Sequence, residues 1–440
     1  MKKDPLAGIG NFFREINDYW FGYGSPVTIG VMRILIGITV FFNLLIMFIG
    51  YDDWYTERGY VPVGLNQMYL GKVSKDFVLF GSHQMPFEIP RFNLLDYLAQ
   101  WFATFHVHFP LQQFTFAMWI ITLVACITMT LGLWSRASAI VLAICIVTIH
   151  HRNAMILHGG DTVQRIAVLY MALAPCGAAC SLDRLIGLYK GKIQPGAVRV
   201  SLWPQRLIAF NIALIYFTTV WMKWGGNYWK SGIATWFPAR LNEFKRFPVP
   251  DFVNNYPFVK LTTYGTLATE LAMATLVFYK PLRKYVLLGG IMMHGFIEYS
   301  MNIPMFSFSI CALYLTFYEG EEVTEWAKRW GQRLKQFSIR VMLPANKMLR
   351  VGPAAALSAA DPLGLVSYEA GDGERWTAVT PDGRQKNPFL SSRVRSIGGW
   401  VIAIVPGLWR RMLQQGTIEA TEDKPPVKKR PRADIVNARR

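Results

Sequence analysis

Residues 114–150 read FTFAMWIITLVACITMTLGLWSRASAIVLAICIVTIH. Two apolar blocks stand here on either side of one polar dipeptide, Ser135-Arg136. Neither block alternates apolar with polar residues, so neither has the period of a half-buried strand. About 20 such residues in a helix cover a hydrocarbon layer ~30 Å thick, where no water satisfies backbone N–H and C=O groups. A continuous run of this kind closes its hydrogen bonds within itself, as an α-helix. The segment therefore reads as two spans, about Phe114–Trp134 and Ala137–His150, joined by a tight turn.

Six further apolar blocks flank this pair: about Val27–Phe48, Thr162–Ala179, Leu207–Met222, Leu261–Tyr279, Tyr285–Met301 and Met305–Tyr318. The expected fold class is all-α, a polytopic integral membrane helical bundle of about eight spans. Composition agrees: 52% of the 440 residues are hydrophobic and 17% are charged, whereas soluble domains are nearer a quarter charged. The 15 tryptophans suit side chains that anchor at two membrane interfaces.

A net charge of +18 raises nucleic acid as a partner, but the cations are placed otherwise. Lys2, Lys3 and Arg14 precede the first span, Arg136 separates the second and third, and Arg184, Lys190, Lys192, Arg199 and Arg206 separate the fourth and fifth. Lys280, Arg283 and Lys284 lie between the sixth and seventh. With an even number of spans all of these, and the C-terminus, fall on one side, which the positive-inside rule makes the cytoplasm. The expected partner is a lipid bilayer, the cell's inner membrane, crossed several times with both termini cytoplasmic, and no nucleic acid. The N-terminus does not read as a cleavable signal peptide, because its first apolar run starts late and is too long.

Residues 1–26 contain a mixed aromatic and charged stretch (IGNFFREINDYWFG, 9–22) that suits an interfacial helix, and 27–320 form the transmembrane domain. Within the latter, LLDYLAQWFATFHVHF (94–109) is expected to lie along the membrane surface. Residues 321–420 read as a cytoplasmic appendage: a basic amphipathic helix over 325–341, then a small α+β element with GDG and PDG turn signals. Its end resembles that of thiol-oxidoreductase modules but carries no cysteine, which excludes redox work there. Residues 397–409 are too short to read as a span, and 421–440 form a disordered basic tail. The five cysteines read as small core residues, although Cys176 and Cys180, four apart on one helical face, could pair or hold a metal. No zinc-type spacing occurs, and no metal is expected.

A charged side chain within a span costs about 2.5–3.5 kcal/mol on insertion scales, so each one calls for a reason. The third span ends in His150, His151, Arg152 and Asn153, and the fourth begins near His158, Asp161 and Arg165. The fifth ends with Lys223, the sixth carries Glu270, and the seventh carries His294 and Glu298. The topology puts these groups in the outer half of the bundle. Spacing of four pairs Asp161 with Arg165 and His294 with Glu298 on single helix faces. Each group has a plain structural alternative: Lys223 snorkelling at a helix end, two packing pairs, ordinary polarity where a helix ends. The chemical alternative begins with lysine. Burial disfavours its charged form, so a desolvated Lys223 amine could serve as a general base, with His294 orienting a substrate or relaying a proton.

The order of several strings extends this reading. GVMRILIG (30–37), HHRN followed by GGDTVQR (150–165), APCGAACSLDR (174–184) and WPQRLIAFNIALIYFTTVWMKWGGNYWKSG (203–232) come first. LATELAMATLVF (267–278) and MMHGFIEYSMNIPMFSFS (292–309) follow. Over about residues 18–318 the chain resembles bacterial HTTM (horizontally transferred transmembrane domain) proteins, relatives of vitamin K-dependent γ-carboxylase. The resemblance implies a reduced quinone, a vitamin K-type hydroquinone, as cofactor, and an exported peptide or protein as substrate at the non-cytoplasmic face. It implies Lys223 as the base in quinol oxygenation coupled to glutamate carboxylation, His294 as a second catalytic residue, and Asn153 near the active site. His150, His151, Arg152, Asp161, Arg165, Glu270 and Glu298 are the other candidates for binding substrate or cofactor. The short basic tail departs from the large lumenal C-terminal region of the carboxylase, so propeptide recognition of that kind is not implied. A non-catalytic maturation or assembly factor for an exported peptide is the alternative; a transporter lacks the expected inverted repeat.

Overall fold

The computed structural model describes residues 14–66, 68, 78–79, 83–84, 92–334, 339–343, 347–370, 377–379 and 385–386. The chain divides into a helical unit, drawn from residues up to Arg184 and from Gly196–Thr324, and a smaller unit drawn from Leu185–Pro195 and from Glu325 onward.

In the helical unit a helix lies over each apolar block. These are α1 (Val27–Ile49), α2 (Leu111–Leu131), α3 (Ser135–Arg152), α4 (Gly159–Leu173) and α5 (Trp203–Trp224). They continue as α6 (Tyr256–Ala274), α7 (Lys280–Ser300) and α8 (Phe306–Leu313), the last prolonged as a 3-10 helix over Tyr314–Phe317. Among the described residues α1, α2 and α5, of 23, 21 and 22 residues, are long and apolar enough to cross a membrane. At 1.5 Å per residue each is over 30 Å long. The other five do not meet that test of length and apolarity together, and prolines set where several helices begin and end. Pro175 follows the end of α4, where a proline ring and its missing N–H oppose helix, so α4 has 15 residues instead of running to Ala179. The helix α7 starts at Lys280 rather than Tyr285, because Pro281 is tolerated in a first turn and the basic linker joins the helix. For the same reason Pro204 lets α5 begin at Trp203.

The outward faces are apolar. Phe42, Ile120, Phe210 and Leu288 are each 45–53% exposed. Thr28, Asn43, Thr122, Thr263 and Ser309 point inward and are buried. A water-soluble bundle shows the reverse pattern; a collar of this kind suits lipid.

One end of the bundle is closed by buried donors that hold backbone carbonyls left open by helix ends. Arg33 of α1, fully buried, donates from Nη1 to Cys176 O (2.8 Å) and from Nη2 to Cys180 O (2.6 Å). Gln205 of α5 donates from Nε2 to Thr316 O (3.0 Å) and Tyr318 O (2.8 Å), and Arg283 of α7 donates to Phe317 O. The expected turn between α2 and α3 is held by Asp183, which accepts from Trp134 N–H (2.8 Å), Ser135 N–H (2.8 Å) and Ser135 Oγ (2.7 Å). Gly132 takes φ +72° in that turn, and a Cβ there would stand 2.4 Å from Arg33 Nη1. Cys176 and Cys180 are free thiols, and it is their carbonyls that are engaged.

Residues 14–21 are helical, as is Leu94–Thr104, where a surface helix is expected. The amphipathic stretch expected over 325–341 does not continue as one helix. Helix ends at Arg333, and Ile339–Leu343 (IRVML) is a strand, since its β-branched and apolar residues fit a pleated surface. In the smaller unit this strand, β1, pairs in parallel with β2 (Val366–Ala370) after the crossover helix α9 (Lys347–Ala359). It pairs antiparallel with β3 (Thr377–Val379), which carries β4 (Gln385–Lys386). The GDG and PDG turns, residues 397–409 and the tail lie outside the described residues.

Asp361 stands between α9 and β2. Its Oδ2 accepts the Val366 N–H at 2.7 Å while Oδ1 has no partner, and burial raises its carboxyl above the usual range. An acid whose folded value is raised supports the fold at low pH and loses that support as pH rises through the folded value. Backbone amides of β1 and β2 are therefore expected to lose protection as pH rises from the ordinary carboxylate range to well above it. Asp361→Asn, which keeps an acceptor for Val366, is expected to flatten that dependence in hydrogen-exchange measurements. Unchanged pH dependence in the variant refutes the assignment.

Candidate functional site

The other end of the bundle carries the predicted polar residues, in two groups. Tyr216, Thr219 and Lys223 follow one another at i, i+3 and i+7 along α5, which places them on one helix face. The Lys223 ammonium pairs with Glu270 Oε1 of α6 and lies 5.0 Å from the Trp229 ring centroid. Thr219 Oγ1 donates to Glu270 Oε2 at 3.4 Å. Two turns below Lys223, the Tyr216 hydroxyl meets His294 Nε2 of α7 at 2.8 Å and the Tyr314 hydroxyl at 2.6 Å. His294 is 3% exposed; its ring stands edge-on to Phe306 at 5.4 Å, and its Nδ1 has no partner. Glu270 is 6% exposed, whereas the Lys223 side chain keeps 26% of its surface open. Lys223 and His294 thus lie in the C-terminal parts of α5 and α7, at the end opposite the Gln205 and Arg283 clamps.

The second group has two parts, one joining α1, α4 and α8 and the other at the end of α3. Asn43 Nδ2 donates to Asp161 Oδ1 (2.9 Å) and to Gln164 Oε1 (3.0 Å), and Gln164 Nε2 donates to Ser309 Oγ (3.0 Å). Asp161 also caps its own helix, accepting the His158 N–H at 2.8 Å. The HHRN segment is stitched to residues 54–66 and to Phe92. Asn153 Nδ2 donates to Trp54 O (2.9 Å), Arg152 donates to Val61 O (3.2 Å) and Glu57 (3.1 Å), and Asn66 Nδ2 donates to His151 O (2.7 Å). His151 Nδ1 lies 2.7 Å from Phe92 O. His150 is fully buried, and neither ring nitrogen has a partner among the described residues.

Both expected i,i+4 pairs are replaced. Arg165 donates to Thr162 (3.0 Å) instead of meeting Asp161, and Glu298 pairs with Arg246 instead of His294. The two acids are taken by other elements, Asp161 by Asn43 of α1 and Glu298 by Arg246 from the segment between α5 and α6, which leaves Arg165 with Thr162 on its own helix. Spacing along α5 points to Tyr216 and Thr219, both overlooked in the sequence because their types are common in spans. Nothing local marks Asn43, Gln164 or Tyr314. Among the described residues no three His, Cys, Asp or Glu side chains group closely enough to hold a metal ion.

The groups that could hold a cofactor are Lys223, open at the bundle surface beside the exposed Trp221, Met222 and Trp224, and, deeper, His294 Nδ1, which has no partner among the described residues. Comparison with known proteins agrees with the architecture. No curated protein and no solved structure matches the sequence. Residues 79–321, more than half of the chain and all of the helices from α2 to α8, match the HTTM domain. The chain therefore belongs to the HTTM family, membrane proteins related to vitamin K-dependent γ-carboxylase.

Proposed function

We propose that this protein crosses a bacterial inner membrane eight times, with both termini in the cytoplasm, and carries out a carboxylase-like, quinol-linked modification of an exported peptide at the opposite face. The observation that carries the reading is the Lys223–Glu270 pair above the Tyr216–His294–Tyr314 network, buried in an HTTM bundle. When bound, a reduced quinone supplies an acidic hydroxyl and reducing electrons. As it stands, Lys223 is an ammonium held by a carboxylate, which is not yet a base. An apolar ligand covering the open quarter of Lys223 excludes the last water from the pair. Desolvation raises the cost of two charges against two neutral groups, so one proton passes from Nζ to Glu270 Oε1. The free Nζ lone pair can then accept a proton from a substrate hydroxyl, while Tyr216 and Tyr314 hold the orientation of His294.

The test compares Lys223→Ala with Lys223→Arg. Both are expected to lower cellular function by about 10²–10⁴-fold, the range for a positioned base, with normal protein levels. Full function in both variants ends the base assignment. Extraction of quinone with the purified protein, and of γ-carboxyglutamate in neighbouring exported proteins, tests cofactor and product separately. One observation favours a non-catalytic maturation factor instead: Arg152, Asn153 and Glu298 are spent on internal clamps. That reading expects Lys223→Ala to act only through stability.

A further inference from the structure

We infer that the α1–α4 end of the bundle contains a separate binding site for a small carboxylate, independent of Lys223. Four buried side chains and the half-buried Tyr51 bring polar atoms there that have no partner among the described residues: both ring nitrogens of His150, the hydroxyls of Tyr51 and Tyr55, Trp119 Nε1 and Arg152 Nε. His150, Tyr55, Arg152 and Trp119 are 0–3% exposed. The Tyr51 and Tyr55 rings stack at 6.0 Å, and Trp119 lies 5.1 Å from Tyr55 and 6.4 Å from Tyr51. The Asn153–Trp54 bond holds the last turn of α3, with His150 and Arg152, against the residue preceding Tyr55. Asp161 is within electrostatic reach of both His150 and Tyr55.

The chemistry of these atoms selects the ligand. Indole Nε1–H and guanidinium Nε–H only donate; each phenol and a neutral imidazole offer one donor apiece. The nearby carboxylate, Asp161, is already engaged by Asn43 and the His158 N–H. The cluster is thus rich in donors and short of acceptors. Arg152 and Arg165 are matched there by the Asp161 and Asp96 carboxylates, so the choice of ligand rests on the unpartnered donors and not on a surplus of charge. A monocarboxylate brings two acceptor oxygens to those donors, and the three aromatic faces cover a short apolar stem. Groups of this kind are not normally left dry.

The experiment follows thermal melting of the purified full-length protein in detergent while acetate or propionate replaces chloride at constant ionic strength. A saturable rise of about 2–4 °C is expected. Tyr55→Phe and Trp119→Phe each remove one donor and are expected to move the midpoint about tenfold higher in acetate, one hydrogen bond to a charged group. Lys223→Ala is expected to leave the response intact, which separates this site from the quinol reading. No saturable response in the native protein overturns the proposal, and so does a Tyr55→Phe variant that melts higher with the response unchanged. Should either variant fail to fold, displacement of isotope-labelled acetate from the native protein decides. Propionate is expected to displace it and acetamide, neutral and of similar shape, is not; equal displacement by acetamide refutes carboxylate recognition.

Discussion

Arg33→Leu is expected to cost this protein most of its stability, seen as loss of the folded protein from membranes and a collapsed melting transition in detergent. The guanidinium is fully buried in α1 and satisfies two carbonyls, Cys176 O and Cys180 O, where the chain leaves α4. Leucine matches the apolar surroundings but donates nothing. Each stranded carbonyl costs about 1–3 kcal/mol, and hydrocarbon offers no water to replace the lost donor. The change therefore removes about 2–6 kcal/mol, comparable with a whole domain's margin. Arg33→Lys is expected to rescue little, because one ammonium cannot present the planar fork that reaches both oxygens. A leucine variant with native melting behaviour overturns this account.

The second large effect lies at the opposite end. Glu270→Ala leaves Lys223 without its counter-ion, and breaking a buried pair in this way costs about 3–5 kcal/mol. The lower part of that range applies, since the Lys223 side chain keeps 26% of its surface open and can recruit water. Replacing both charges, as in Lys223→Met with Glu270→Leu, is expected to restore stability to near the native value, because a matched apolar pair avoids desolvating two ions. The double variant thus separates packing from chemistry. A stable but inactive protein supports Lys223 as base; a stable and active one removes chemistry from the pair.

Much of the bundle was legible because solvent imposes it. Continuous apolar runs admit only helix in lipid, so α1 to α8 could be located without any partner. Their ends were less legible. Pro204 and Pro281 look like breakers in a linear reading, yet a helix's first turn needs no N–H from them, and both helices start earlier than hydropathy suggests. The costly ionisable residues could be listed from the sequence, but their partners could not. The i,i+4 rule sees one helix, while Lys223 finds Glu270, Glu298 finds Arg246, and Asp161 finds Asn43 across elements. The strand at Ile339–Leu343 follows its β-branched residues, a local preference that the amphipathic pattern before it masked.

The Asp183 carboxylate has a practical corollary. Two backbone N–H groups and a hydroxyl converge on it from Trp134 and Ser135, and the Asp183 N–H returns to Gly132 O at 2.9 Å. The shortest connection in the bundle is thus knotted to residues nearly fifty positions away. A tag or reporter inserted between Leu133 and Arg136 would pull that knot apart and report misassembly in place of sidedness. Labels meant to map which face of the membrane each loop occupies belong in the long segment between Trp224 and Tyr256, where no carboxylate gathers the chain so tightly.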